Sequence, residues 1–352
     1  MRIEGKGLID RNAPVTFRFD GRRYAGFRGD TLASALLANG VKLVGRSFKY
    51  HRPRGILTAG SEEPNAMVEV VGARNQTPNV RATVQEVFEG LTARSQNRWP
   101  SLRWDLLSVN DLAAPFLSAG FYYKTFMWPR AFWERIYEPI IRRAAGLGAL
   151  SGKHDDGQYE KAYAFCDVLV IGSGPTGLMA ALTAGRAGAD VILAEEDHRM
   201  GGRLLADGGM IDGKTAPEWV ADVLTELRGM ANVRLMTRTA VTGAYDQGTY
   251  SALERVGLHL PGRADLPREC FWRIVAGRAI LAAGAMERPI AFPMNDRPGI
   301  MMASAVRTYL NRYGVVPGKR VTLFANTDQA RGVARDLMAA GVTVAAIIDP
   351  RA

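Results

Sequence analysis

Three glycines and a carboxylate state the chemistry of this sequence most plainly. Gly172, Gly174 and Gly177 stand in the run DVLVIGSGPTGLMAAL, directly after an apolar strand signal and at the start of a helix signal. That Gly-x-Gly-x-x-Gly spacing suits a dinucleotide: Gly172 permits a tight turn, Gly174 lets a pyrophosphate reach the backbone, and Gly177 lets helix and strand pack closely. Thr176 lies in the first helical turn, where free N–H groups attract phosphate. Glu195 follows Gly172 by 23 residues, near the roughly 20-residue spacing at which a carboxylate accepts the adenosine ribose hydroxyls. Glu196 and Asp197 come next. An acidic cluster there repels a 2′-phosphate, which favours NAD or FAD over NADP.

The run Arg199-Met200-Gly201-Gly202-Arg203-Leu204 resembles the Arg-x-Gly-Gly element of two-dinucleotide-binding flavoproteins. Its glycines allow close backbone approach, and Arg203 is placed to reach phosphate or ribose. Residues 279–285 end a strand signal in a turn at Gly284, with Ala283 where such flavoproteins usually carry threonine. Catalytic groups do not emerge. His51, His154, His198 and His259 show no metal-ligand spacing, and there is neither a Cys-x-x-Cys pair nor a Gly-x-Ser-x-Gly element. Cys166 and Cys270 read as packing residues, and no metal site is expected.

The elements that must position these residues read as α/β. Strand signals at 167–171 and 190–194 flank a helix at 177–187, and a helix at 217–230 precedes strand-like runs at 233–236 and 274–282. Residues 321–324, 328–340 and 342–348 repeat strand–helix–strand, but Asn326, Thr327 and Asp328 occupy the turn where a nucleotide site wants glycine. A degenerate second βαβ unit and a single dinucleotide site are expected. Ahead of these lies a small mixed unit. Val15, Phe17 and Phe19 alternate with polar residues up to a hairpin signal at Asp20-Gly21. Asp30 and Thr31 offer an N-cap to a helix that Asn39-Gly40 ends, and strands are predicted near 67–71 and 80–84. The expected division is a ferredoxin-like β-grasp domain at 1–94, an aromatic-rich helical connector and linker at 95–163, and a Rossmann-type FAD/NAD(P)-binding domain at 164–352. The connector's aromatics, Trp99, Trp104, Phe121, Tyr122, Tyr123, Trp128 and Trp133 among them, suit helices packed between domains or a subunit contact.

Composition narrows the class. With 352 residues, 47% hydrophobic and 23% charged, the chain is neither disordered nor coiled-coil, and its two cysteines are too few for a disulfide scaffold or a four-thiolate cluster. No secretory signal and no apolar run of membrane-spanning length is visible, so a cytoplasmic location is expected. Through residue 160 there are 23 basic against 16 acidic side chains, most of the net +10. They are dispersed, with only Arg52-Pro53-Arg54 as a short basic motif. That pattern disfavours nucleic acid and suits a docking face for an acidic subunit.

The segments GDTLASALLANG and SFKYHRPRGI resemble the ferredoxin-like domain that opens many multi-subunit amine and amino-acid oxidoreductases. Cluster-bearing relatives place cysteines after this RPRG. Here residues 58–65 read TAGSEEPN, without a thiol, so no iron–sulfur cluster is expected in this chain. Together with GFYYKTFMWP, VIGSGPTGL and NDRPGIMMASAVRTYLNRYGV, they make the whole chain resemble the alpha-subunit family of heterotetrameric sarcosine oxidases. The resemblance implies a complex that oxidatively demethylates sarcosine to glycine, with oxygen as electron acceptor and tetrahydrofolate taking the one-carbon unit. It implies NAD bound here, Val241 presenting a backbone edge to adenine, and beta, gamma and delta subunits as partners, with flavin in those partners. The family's folate-binding half is absent, so an N-terminal portion is expected, inactive alone. The motifs leave two alternatives open: an FAD-binding subunit of a related amino-acid dehydrogenase, or a non-catalytic assembly module stabilised by a nucleotide.

Overall fold

A computed structural model of the chain describes residues 1–351 apart from 73–75, 116, 118–119, 121–125, 145, 153, 261 and 264. The aromatics Phe121, Tyr122 and Tyr123 fall outside the described residues. The first unit opens with the hairpin β1 (Asp10–Phe19) and β2 (Arg22–Arg28). Asp20 and Gly21 both hold positive φ between them, the turn geometry that matches strand twist. Helix α1 (Leu32–Ala38) starts on a reciprocal Thr31–Ser34 capping box and ends at Asn39. A two-residue hairpin, β3 (Gly45–Arg46) and β4 (Pro53–Arg54), precedes β5 (Met67–Val71), β6 (Gln76–Arg81) and β7 (Thr92–Ser95). The sheet order is β2-β1-β7-β5-β6, with β1 and β7 parallel and the other neighbours antiparallel. The strand expected at 80–84 stops at Arg81 because the next residues serve α1. Its first donors, the N–H groups of Leu32 and Ala33, bond to the carbonyls of Gln85 and Ala82.

A 3₁₀ helix (Leu106–Ala113) and α2 (Glu138–Ala144) lead to the second unit. Its first strand, β8 (Tyr159–Ile171), begins inside the stretch read as linker, because its leading half pairs in parallel with β15 (Glu269–Leu281). Between them run α3 (Pro175–Arg186), β9 (Val191–Ala194), the short hairpin β10 (Met210–Ile211) and β11 (Lys214–Thr215), α4 (Ala216–Gly229), β12 (Val233–Met236), β13 (Thr239–Tyr245) and β14 (Thr249–Glu254). The six-stranded sheet has the order β12-β9-β8-β15-β14-β13. It is parallel from β12 to β15 and finishes as an antiparallel meander. Helices α3 and α4 cover one face through Val170, Leu178, Leu193, Val223 and Leu227.

Helix α5 (Ala303–Tyr313) joins the parts. Ala305, Tyr309 and Tyr313, spaced i, i+4, i+8, enter the core of the first unit beside Phe17, Leu32 and Leu36. Val306 and Leu310, one step round the helix, pack on Leu323, Val333 and Leu337. Those belong to β16 (Arg320–Phe324) and α6 (Gln329–Ala339), which with β17 (Thr343–Ile348) form a parallel pair separate from the six-stranded sheet. No helix among the described residues is long and apolar enough to cross a membrane.

Candidate functional site

The turn from β8 to α3 gathers the glycines. Gly172 has φ +96°, and a Cβ there would press to 2.6 Å from the Ala282 carbonyl oxygen at the end of β15. Gly177 is tighter still, since its Cβ would lie 1.9 Å from the Gly172 carbonyl oxygen. The helix can therefore start against the strand only without side chains at both positions. Gly174 differs, for a Cβ there would meet nothing within 4 Å. It caps α3, and Pro175 takes the first helical position, where a missing N–H costs nothing. The first helical bond runs from the Leu178 N–H to the Gly174 carbonyl. The N–H groups of Thr176 and Gly177 are thus left without carbonyl partners, at the positive end of the helix.

Glu195 closes this turn from the neighbouring strand. Its Oε2 accepts from the Ser173 N–H (2.8 Å) and the Ser173 hydroxyl (2.5 Å), and its Oε1 from the Asp197 N–H (3.0 Å). Burial raises the Glu195 carboxyl above its ordinary range, against the pull of those hydrogen bonds. Gly201 (φ +130°) and Gly202 (φ +53°) bring the following loop against the turn: a Cβ on Gly202 would be 2.9 Å from the Gly174 Cα. Gly201 N–H also bonds to Ser173. Gly172, Gly174, Thr176, Gly177, Glu195, Gly201 and Gly202 therefore converge on one edge.

The remaining predicted residues stand apart from that cluster. Arg203 is exposed and paired with Asp207 at 3.1 Å. Glu196 is exposed, and its carboxylate accepts from the Ser61 hydroxyl of the first unit (2.7 Å). Val241 packs on the core around Leu169 and Ile192, in a strand whose first residue bonds to the Glu195 carbonyl. Gly284, at φ +72°, lies in open space beyond β15.

Sequence reading missed the partners that hold the acidic turn. Ser173, between Gly172 and Gly174, carried a signal only as one of the two hydroxyls inside the motif, with Thr176. Arg312 of α5 grips Asp197 with both terminal nitrogens, and His198 Nδ1 lies 2.9 Å from the same carboxylate. Burial would raise the Asp197 pKa, but Arg312 outweighs it and holds the carboxyl well below its ordinary range. Across the units, Glu86 takes two bonds from Arg238, at 2.6 and 2.8 Å.

Comparison with known proteins places this geometry. Residues 12–98 match the family model of a 2Fe-2S iron-sulfur cluster binding domain, and residues 167–263 that of an FAD dependent oxidoreductase. These matches overturn two expectations. NAD as the cofactor gives way to FAD chemistry; the two share an ADP portion, so glycine and carboxylate spacing alone did not separate them. The expectation of no iron–sulfur cluster fails as well, because it rested on counting ligands and not on the kind of domain. The donor set of that domain does not fit a thiolate-held cluster. The chain's two cysteines, Cys166 and Cys270, lie in β8 and β15, outside residues 12–98. Burial pushes the Cys166 thiol up to about 11, and no chemistry is assigned to a cluster.

The structure is similar to that of L-proline dehydrogenase from P. horikoshii, with a TM-score of 0.66 over 99% of this chain and 56% of that one, at 22% identity. That likeness concerns the mixed α/β fold. The sarcosine oxidase subunit alpha of Rhizobium meliloti (strain 1021) is 59% identical over 99% of this chain, and that of Corynebacterium sp. (strain P-1) 38% identical over 97%. The chain spans 36% and 31% of the length of these two relatives. Along nearly its whole length the chain is similar to the sarcosine oxidase alpha subunits.

Proposed function

We propose that the chain is the dinucleotide-binding N-terminal portion of a sarcosine oxidase alpha subunit and that it holds the ADP half of FAD at the turn between β8 and α3. One observation carries this reading: Gly172, Gly174 and Gly177 converge with the Ser173–Glu195 hydrogen bonds inside the stretch matched by the FAD dependent oxidoreductase family. The open space at Gly174 is where a phosphate would approach. The N–H groups of Thr176 and Gly177 would hold that phosphate. Glu195 Oε1, with a single hydrogen bond, keeps acceptor capacity for a ribose hydroxyl. Gly201 and Gly202 keep the next loop close, Arg203 is exposed enough to turn towards a phosphate, and the β13 edge at Val241 would border adenine. Glu196 and the Gly284 turn complete the rim.

FAD, when bound, supplies an acceptor for hydride from a C–H bond next to nitrogen. The chain's own residues bind and orient, and none is assigned a catalytic role. In this reading residues 1–94 form the ferredoxin-like unit, 95–163 the connector and 164–352 a Rossmann-type domain with a degenerate second βαβ unit. The whole protein would demethylate sarcosine to glycine in the cytoplasm, pass the one-carbon unit to tetrahydrofolate, and assemble with beta, gamma and delta subunits. The net charge of +10 supports docking on an acidic partner. The test is to release the cofactor from the purified chain and record its absorbance and mass. A flavin spectrum with the mass of FAD is expected. Protein that neither retains nor takes up FAD would refute the reading.

A further inference from the structure

Two of the most distinctive segments of the sequence, KYHRPR and NDRPG, are far apart in the chain yet meet at one cavity of about 280 Å³. It shares no residue with the Gly172 turn. Arg46, Tyr50, His51, Arg52, Asp111 and Arg297 line it, with Ser108 as a further polar group. Arg46 gives its guanidinium N–H groups to the carbonyls of His51, Leu102 and Arg103, and no carboxylate among the described residues pairs with it. Arg52 is held on Asp296 by two bonds of 2.8 Å, and Arg54 reaches the same carboxylate at 3.2 Å. One carboxylate thus serves two guanidiniums. Arg297 is exposed and its side chain has no partner among the described residues. Asp111 is the sole carboxylate on a wall with three guanidiniums.

A fixed histidine adds a further polar group to this wall. His51 is 1% exposed and its Nδ1 lies 2.7 Å from Asp105 Oδ2. Asp105 is fixed in turn, because its Oδ1 accepts the N–H groups of Trp99 and Leu107. The carboxylate takes the Nδ1 side of the ring, and Nε2 has no partner among the described residues. With Asp105 holding the ring in place, Nε2 is left available to a ligand in the cavity that His51 helps to line. Guanidiniums offer planar forks of donors that match carboxylate and phosphate oxygens. We propose that this cavity binds a small oxyanion, a carboxylate or phosphate group, through Arg297, Arg52 and His51 Nε2.

Isothermal titration calorimetry on the full chain, in a buffer free of competing oxyanions, tests this with inorganic phosphate in one arm and acetate in the other. Saturable binding is expected at or below about 10 mM in at least one arm, and the tighter arm identifies the group. Arg297→Ala should weaken that binding by about fivefold. Asp111→Asn removes the opposing carboxylate and should tighten it. His51→Gln should weaken it further; should that variant fail to fold, the two surface variants still decide. No saturable heat in either arm, or affinities unchanged in both Arg297→Ala and Asp111→Asn, would overturn the proposal.

Discussion

Alanine at Gly174 and at Gly177 should separate cofactor binding from folding. At Gly177 the new Cβ would sit 1.9 Å from the Gly172 carbonyl oxygen, where ordinary contact begins near 3.4 Å, so helix and turn must part by about 1.5 Å. Overpacking of that kind costs about 1–3 kcal/mol, and the helix propensity of alanine returns at most ~1 kcal/mol. The net, about 1–2 kcal/mol, should lower the melting temperature of the cofactor-free protein by roughly 1–3 °C. Gly174 has φ −66° and ψ −177°, a conformation open to any residue, and its Cβ would touch nothing. Stability of the empty Gly174→Ala protein should therefore stay within about 0.5 kcal/mol of the parent. Its FAD affinity should fall at least about tenfold, or 1.4 kcal/mol, because the methyl group occupies the approach to the pyrophosphate. Calorimetry on stripped protein and flavin titration by absorbance measure the two effects. Parental FAD affinity in Gly174→Ala, or equal destabilisation by both substitutions, would refute the reasoning.

Glu195→Ala leaves the buried N–H and hydroxyl of Ser173 without their acceptor, and urea unfolding should show a loss of about 2–4 kcal/mol. Arg312→Leu strips Asp197 of its main counter-charge. With the Asp197 carboxylate about a third exposed, the cost should be about 2–3 kcal/mol, less than for a fully buried pair. The pH dependence has a definite sign. Asp197 is held well below its ordinary 3.8, so its contribution is complete above that pH and lost as pH falls towards the folded value. Urea midpoints between pH 6 and 2.5 should therefore fall less steeply in Arg312→Leu, and identical slopes would count against the pairing. Glu86→Gln breaks the charge pair with Arg238 between the two units. It should cost about 1–2 kcal/mol and speed proteolysis between the units, with little response to added salt because both side chains are largely buried.

Features set by a few neighbouring residues are legible in the sequence alone. The Asp20-Gly21 turn, the Thr31 cap and the strand–glycine–helix order at 168–186 all stand close to where their local signals put them. Boundaries fail where a distant strand or helix imposes them. β8 starts early because β15 pairs with its leading half, and β6 ends at Arg81 because α1 claims the carbonyls that follow. The α5 helix and the β13–β14 hairpin went unpredicted, although Gly314, in the left-handed conformation, marks the end of α5. Along α5 the buried residues form one broad stripe, whose two edges meet two different cores.

By itself the sequence determined the glycine turn, the carboxylate that faces it and the resemblance to one oxidoreductase family, because each depends on residue type and short spacing. Only the tertiary structure decided which groups those residues meet. Nothing local says that Ser173 fills one oxygen of Glu195, that Arg312 secures Asp197, or that Ser61 reaches Glu196. Nor does it say that His51 and Arg297 share a cavity. Those contacts join segments far apart in the chain. They are selected by how strands, α5 and the separate cores pack together, a choice that periodicity along the sequence does not record.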